Sequence, residues 1–165
     1  MLGTAAASAL GLSLVFAASA AHAFDLEPVI ETEQRVVYST EGEFDFYFEM
    51  LEEAITGEGL VVNNRGHVAD MLDRTAGQEH GEGIYLHGMT LDFCSATYSR
   101  ATMEADAHHM TFCPYVIAIY EMTEEPGTIY VGYQRLPEIG DEASQKSLRD
   151  VNELLDRIVN NALAF

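Results

Sequence analysis

The sequence predicts an α+β domain, a single mixed or antiparallel β-sheet with helices packed on it. Three observations carry that expectation. Segments rich in β-branched and aromatic residues, such as Ile84 to Phe93 and Val116 to Tyr120, are too short for helices and read as strands. Between them lie stretches whose apolar residues recur at helical spacing, most clearly Leu148, Val151, Leu154, Leu155, Ile158 and Ala162. Near the end, Val116 to Tyr120 and Ile129 to Gln134 flank a Pro126-Gly127 turn, which predicts an antiparallel hairpin.

Taken in order, residues 1–23 come first. Leu2 to Ala21 is small and apolar without a charged side chain, and it ends in Ala21-His22-Ala23, the A-x-A pattern read by signal peptidase. A cleaved signal peptide and an exported, periplasmic or secreted chain beginning at Phe24 are expected. The alternative, a retained membrane anchor, is disfavoured by an alanine-rich core slightly short of the ~20 residues that a span needs. Residues 24–33 read as an extended lead-in, and 34–165 as one domain.

Within that domain Gln34 to Ser39 is expected as the first strand. Thr40-Glu41-Gly42-Glu43 has the form of a capping box, so a helix should begin near Glu41. Its core face would be Phe44, Tyr47, Phe48, Leu51, Ala54 and Ile55, with Gly57 and Gly59 ending it. Leu60 to Asn63 reads as a short strand and Val68 to Arg74 as a short helix. Gly77 to Gly83 reads as a polar loop. In Ile84 to Phe93, strict alternation would put Tyr85, His87, Met89, Leu91 and Phe93 on one face. Ser95 to Ala107 is expected to be helical, capped by Cys94 or Ser95. Val116 to Tyr120, continuously apolar, is expected as a central strand buried on both faces.

The net charge is -19, with 27 acidic against 8 basic residues. That balance argues against nucleic acid, whose phosphates would be repelled, and against anionic membranes. The acidic residues are spread along the chain and form no calcium-loop pattern. Neither G-x-S-x-G, H-E-x-x-H nor a P-loop occurs, so no hydrolase or nucleotide-binding motif is present and no catalytic residue is nominated.

Cys94 and Cys113 are the only cysteines. In an oxidising compartment an even pair reads first as a disulfide, worth about 3 kcal/mol in the chain-entropy model. A reactive or metal-binding pair is the other reading. Cys94 at a helix start would have a lowered pKa, and Cys113 sits before Pro114, which imposes extended backbone. His108, His109, Met110 and Cys113 combine imidazole, thioether and thiolate, donors that suit copper or zinc, although their spacing matches no known ligand motif. Tyr85, His87, Tyr115, Tyr120 and Tyr133 are candidates to line an apolar ligand pocket, or simply to pack the sheet.

Phe93-Cys94, the run Cys113-Pro114-Tyr115-Val116-Ile117-Ala118-Ile119-Tyr120-Glu121, and Tyr130-Val131-Gly132-Tyr133 together resemble the bacterial "domain of unknown function 302" family. The segment Phe44 to Val62 is similar too, and the likeness runs from about Gln34 to Ala162. The resemblance implies a compact α+β domain that often self-associates, so a homodimer or a periplasmic partner protein is expected. It implies no activity. The export signal and the cysteine before the proline depart from the shorter cytosolic pattern and suggest an exported, cysteine-paired branch. The functional expectation is an exported, non-enzymatic domain that binds a small ligand or a partner protein and is closed by Cys94–Cys113. The alternative is a soft-metal or redox protein.

Overall fold

The computed structural model describes residues 26–74 and 83–165. The expected signal peptide and residues 77–82 of the polar loop lie outside the described residues. The fold is a six-stranded, fully antiparallel sheet with helices packed against it. Strands β1 (Ile30–Glu31), β2 (Arg35–Glu41), β3 (Val61–His67), β4 (Tyr85–Cys94), β5 (Tyr115–Met122) and β6 (Thr128–Gln134) run across the sheet in the order β1-β2-β6-β5-β4-β3. Helices α1 (Phe44–Gly57), α2 (Val68–Asp73), α3 (Ala96–Ala105) and α4 (Glu142–Leu163) connect or follow them, with a short 3-10 helix over Ala107–Phe112. Among the described residues no helix is long and apolar enough to cross a membrane.

Period-two alternation divides the sheet into two unlike faces. Val36, Tyr38, Leu91, Phe93, Ile117, Ile119, Ile129 and Val131 point to one face and are buried. That face is covered by α1 and α4, with α3 packed against α4. Helix α4 contributes Leu148, Val151, Leu154, Leu155, Ile158 and Ala162, all buried as their spacing predicts. Asp141 caps it by accepting a hydrogen bond from the Ser144 amide.

Helix α1 begins at Phe44, later than the Thr40 box predicts, and Glu43 at its N-cap makes no side-chain cap. Thr40 Oγ1 donates to Tyr47 Oη at 3.2 Å, so its hydroxyl is engaged by tertiary structure. Gly42 allows this. A Cβ there would lie 2.8 Å from the Tyr47 ring, and its φ is +150°. Helix α3 starts as expected, with Ser95 Oγ accepting from the Tyr98 amide.

Two strand expectations need correction. Strand β4 carries a register shift between Tyr85 and His87, so Tyr85 pairs with Met122 and leaves the face that His87 and Leu91 share. Strand β5 is central in the sheet but is not buried on both faces. Ile117 and Ile119 are fully buried, whereas Val116 on the other face is 39% exposed.

One polar cluster ties α4 to the sheet. Tyr38 Oη and Tyr133 Oη both donate to Asp156 Oδ1, at 2.5 and 3.0 Å, and Asn160 Nδ2 donates to Asp156 Oδ2 at 3.3 Å. Burial, and then the hydrogen bond to Asp156, push the Tyr38 phenol up to about 12. Burial followed by the Asp156 charge raises Tyr133 further still. A phenol raised in the folded state supports the fold fully below its unfolded value of 10.0, and that support is lost as pH climbs through the folded value of about 12. Tyr38→Phe is expected to cost about 1–2 kcal/mol near neutral pH and to reduce the loss of stability between those two values. Urea midpoints measured across that range test it; an unchanged alkaline slope in the variant would refute the assignment.

Candidate functional site

The sheet face that α1, α3 and α4 leave uncovered carries a groove of about 500 Å³. Its floor is built by facing positions of three adjacent strands: Val37 of β2, Gly132 of β6, and Val116, Ala118 and Tyr120 of β5. Register pairs Val37 with Gly132 and Gly132 with Ala118, so the floor runs as a continuous row across the strands. Thr111, Phe112 and Pro114 form one wall, and Arg35 with Gln134, directly paired in register, stands at the β2–β6 side. At one end Tyr115, Tyr133 and Leu155 line it, so the groove reaches the core.

Gly132 keeps this floor low. A Cβ there would come within 2.7 Å of the Val36 carbonyl oxygen and 2.9 Å of Val37 Cγ2. A side chain at this position would displace Val37 or separate β2 from β6.

Three of the nominated pocket residues, Tyr115, Tyr120 and Tyr133, line the groove. Tyr85 instead meets Tyr120 edge-on, with ring centroids 5.6 Å apart, and Tyr120 in turn stacks on Tyr130 at 5.3 Å. These three tyrosines form an aromatic row that continues away from the groove on the same face. His87 belongs to the opposite face. Its ring stacks on Phe44 at 4.8 Å, and its Nε2 lies 3.9 Å from Glu121 Oε2. Glu121 Oε1 accepts from the Gly127 amide at 2.8 Å, so this buried carboxylate anchors the β5–β6 turn.

Cys94 ends β4, and Cys113 lies two residues before β5. The structure brings them together: Cys94 Sγ donates to Cys113 Sγ across 3.1 Å. This is a contact between two thiols, roughly 1 Å longer than a disulfide bond. Ser99 Oγ of α3 lies 3.3 Å from Cys113 Sγ and donates to Tyr115 Oη at 3.3 Å. A helix start was expected to lower the Cys94 pKa. The thiol is instead pushed up to about 11, first by burial and then by its hydrogen bond to Cys113. The N-terminal turn of α3 is capped by Ser95, one residue further on.

The proposed metal donors do not converge. His108 is exposed, Met110 is 63% exposed, and His109 is buried with Nδ1 3.0 Å from the Thr102 carbonyl oxygen. Among the described residues no three histidine, cysteine, aspartate or glutamate side chains are grouped to hold a metal ion.

Arg35, Val37, Phe112 and Val116 were not singled out by sequence reasoning. The alternation of β5, with isoleucine at 117 and 119 but valine and alanine at 116 and 118, is the signal that could have found the groove.

No curated protein matches the chain. The crystal structure of an uncharacterized conserved protein DUF302 from Bacillus stearothermophilus is similar in fold. Its TM-score is 0.61 at 20% identity, covering 76% of this chain and 97% of that one. The family model for the domain of unknown function DUF302 matches residues 36–162. With most of the described domain spanned by that match, the chain belongs to the DUF302 family.

Proposed function

We propose that the protein is an exported binding domain that holds a small organic ligand in the groove on its uncovered sheet face, with Cys94 and Cys113 oxidised to a disulfide. The observation that carries the binding reading is the groove itself. At about 500 Å³ it falls in the size range of small-molecule sites. It combines an apolar floor with a few polar groups at its margin, the composition such sites use to gain affinity and orientation. The four-residue margin of Arg35, Gln134, Thr90 and Thr111 supplies those polar groups.

The export half of the proposal rests on the A-x-A pattern ending at Ala23. The disulfide half rests on the 3.1 Å approach of the sulfurs and on their partial burial. The raised Cys94 pKa leaves its thiol protonated near neutral pH, which suits a structural pair better than an exposed, nucleophilic redox cysteine. The soft-metal reading has less support, because His108 and Met110 are exposed and His109 holds the Thr102 carbonyl.

Two outcomes are expected. Protein isolated from an oxidising compartment should have an intact mass two hydrogens short of the dithiol form. The double variant Cys94→Ser, Cys113→Ser should then unfold about 3 kcal/mol more easily than the oxidised protein. Complete alkylation of both cysteines without reductant would sink the disulfide. For the groove, amide shifts induced by a mixture of small organic fragments should cluster at Val37, Phe112, Val116 and Ala118. They should vanish in Ala118→Leu, which fills the floor from the solvent side. Shifts scattered over the surface, or unaffected by that substitution, would end the binding reading.

A further inference from the structure

The distribution of charge around the groove narrows the ligand class, and this step rests on the binding reading above. Acidic residues number 27 of 165. None of them lines the groove. Each of three other surface clefts carries several carboxylates: Glu49, Glu52 and Glu53 beside α1, Glu33 and Glu138 at the end of β2, and Glu43, Asp45 and Glu121 near His87. The groove is thus a carboxylate-free opening on a strongly anionic molecule.

Its one cation is also set apart. Six of the eight basic side chains are paired with carboxylates: Arg65 with Glu52, Arg100 with Glu104, Arg135 with Glu31, Lys146 with Asp150, Arg149 with Glu138, and Arg157 with Glu58. Among the described residues the Arg35 side chain has neither an ion pair nor a hydrogen bond, although acceptors abound on this surface. Its guanidinium is exposed at the groove margin, close enough to oppose the raised pKa of the Tyr120 phenol. Directly across the strand pair stands the Gln134 amide.

We propose that the groove selects small organic anions, with a carboxylate or sulfonate held by Arg35 and an aromatic or aliphatic body laid over Val37, Val116 and Ala118. The planar guanidinium offers paired donors that match such an acid group. No carboxylate lines the groove itself, and Glu33 and Glu138 lie in the adjoining cleft that Arg35 and Gln134 also border. The overall charge of -19 still opposes any anion at long range, but that field is screened within about 8 Å at 0.15 M salt. Contacts inside the groove are screened less.

A matched pair of fluorescent probes tests this. Anilinonaphthalenesulfonate and phenylnaphthylamine share one aromatic body, and only the first carries an anion. Titrated into the full oxidised chain at physiological salt, the sulfonate should bind more tightly than the neutral amine. Arg35→Gln should weaken the sulfonate about tenfold or more and leave the amine unchanged. Arg35→Lys should retain part of the preference, and Ala118→Leu should weaken both probes. Circular dichroism confirms that each variant is folded. Equal affinity for the two probes, or sulfonate binding indifferent to Arg35→Gln, would overturn the anion preference while leaving the groove as a binding site. Failure of both probes to bind would overturn the preference and the groove reading together.

Discussion

The burial of one sheet face beneath α1 and α4 is the constraint on which the rest of the molecule depends. Ile117, Ile119, Ile129 and Val131 are fully buried there, and the apolar stripe of α4 lies against them. Burial of each such side chain contributes roughly 1.5–3 kcal/mol. Because α1 and α4 cover this face while the opposite face carries only the short α2, beside Gly88 at the β4 side, the strands must alternate, and much of the opposite row of side chains is left without a helix over it. The groove is the consequence of that asymmetry: the same strands that supply the core supply its floor. The Tyr38, Tyr133 and Asp156 cluster adds direction to an otherwise slippery apolar contact, since one carboxylate oxygen accepts two phenols that only one seating of α4 can provide.

A second contest is settled by magnitude at Cys94. A helix start favours the thiolate, while burial and a neighbouring sulfur disfavour it. The helix effect falls off within one turn, and one of its free amides, that of Tyr98, is already served by Ser95. Desolvation therefore wins, and the thiol is raised rather than lowered. Sequence position alone pointed the other way, because it shows that a cysteine precedes a helix but not how much water reaches it.

How far the fold was legible follows the same line between local and non-local causes. The face of α4 was readable because Leu148, Val151, Leu154, Leu155, Ile158 and Ala162 repeat with the helix period. The β5–β6 hairpin was readable from Pro126-Gly127, and Gly127 has a φ of +85°. The bulge in β4 was not, since Tyr85 and His87 fit an unbroken alternation and only pairing with β5 reveals the slip. The run Val116 to Tyr120 looked two-sided because valine and alanine are apolar wherever they point. The groove was illegible for a stronger reason. Arg35, Phe112, Val116 and Gly132 are spread across the chain and meet only through the strand order.

The cysteine pair and the groove are joined by chain continuity. Phe112 and Pro114, the residues on either side of Cys113, both line the groove wall, and Tyr115 next to them lines its inner end. Cys113 is thus the middle of that wall, and Cys94 is its attachment to the end of β4, a strand held on both sides by its neighbours. A covalent link between the sulfurs would fix the wall against the strand that borders it. The entropy otherwise lost in ordering that wall around a ligand would then already have been removed on oxidation, which is how preorganisation raises affinity without adding a contact. On this argument the proposed disulfide stabilises the fold and shapes the site through the same few residues, and reduction should loosen the groove before it loosens the core beneath α4.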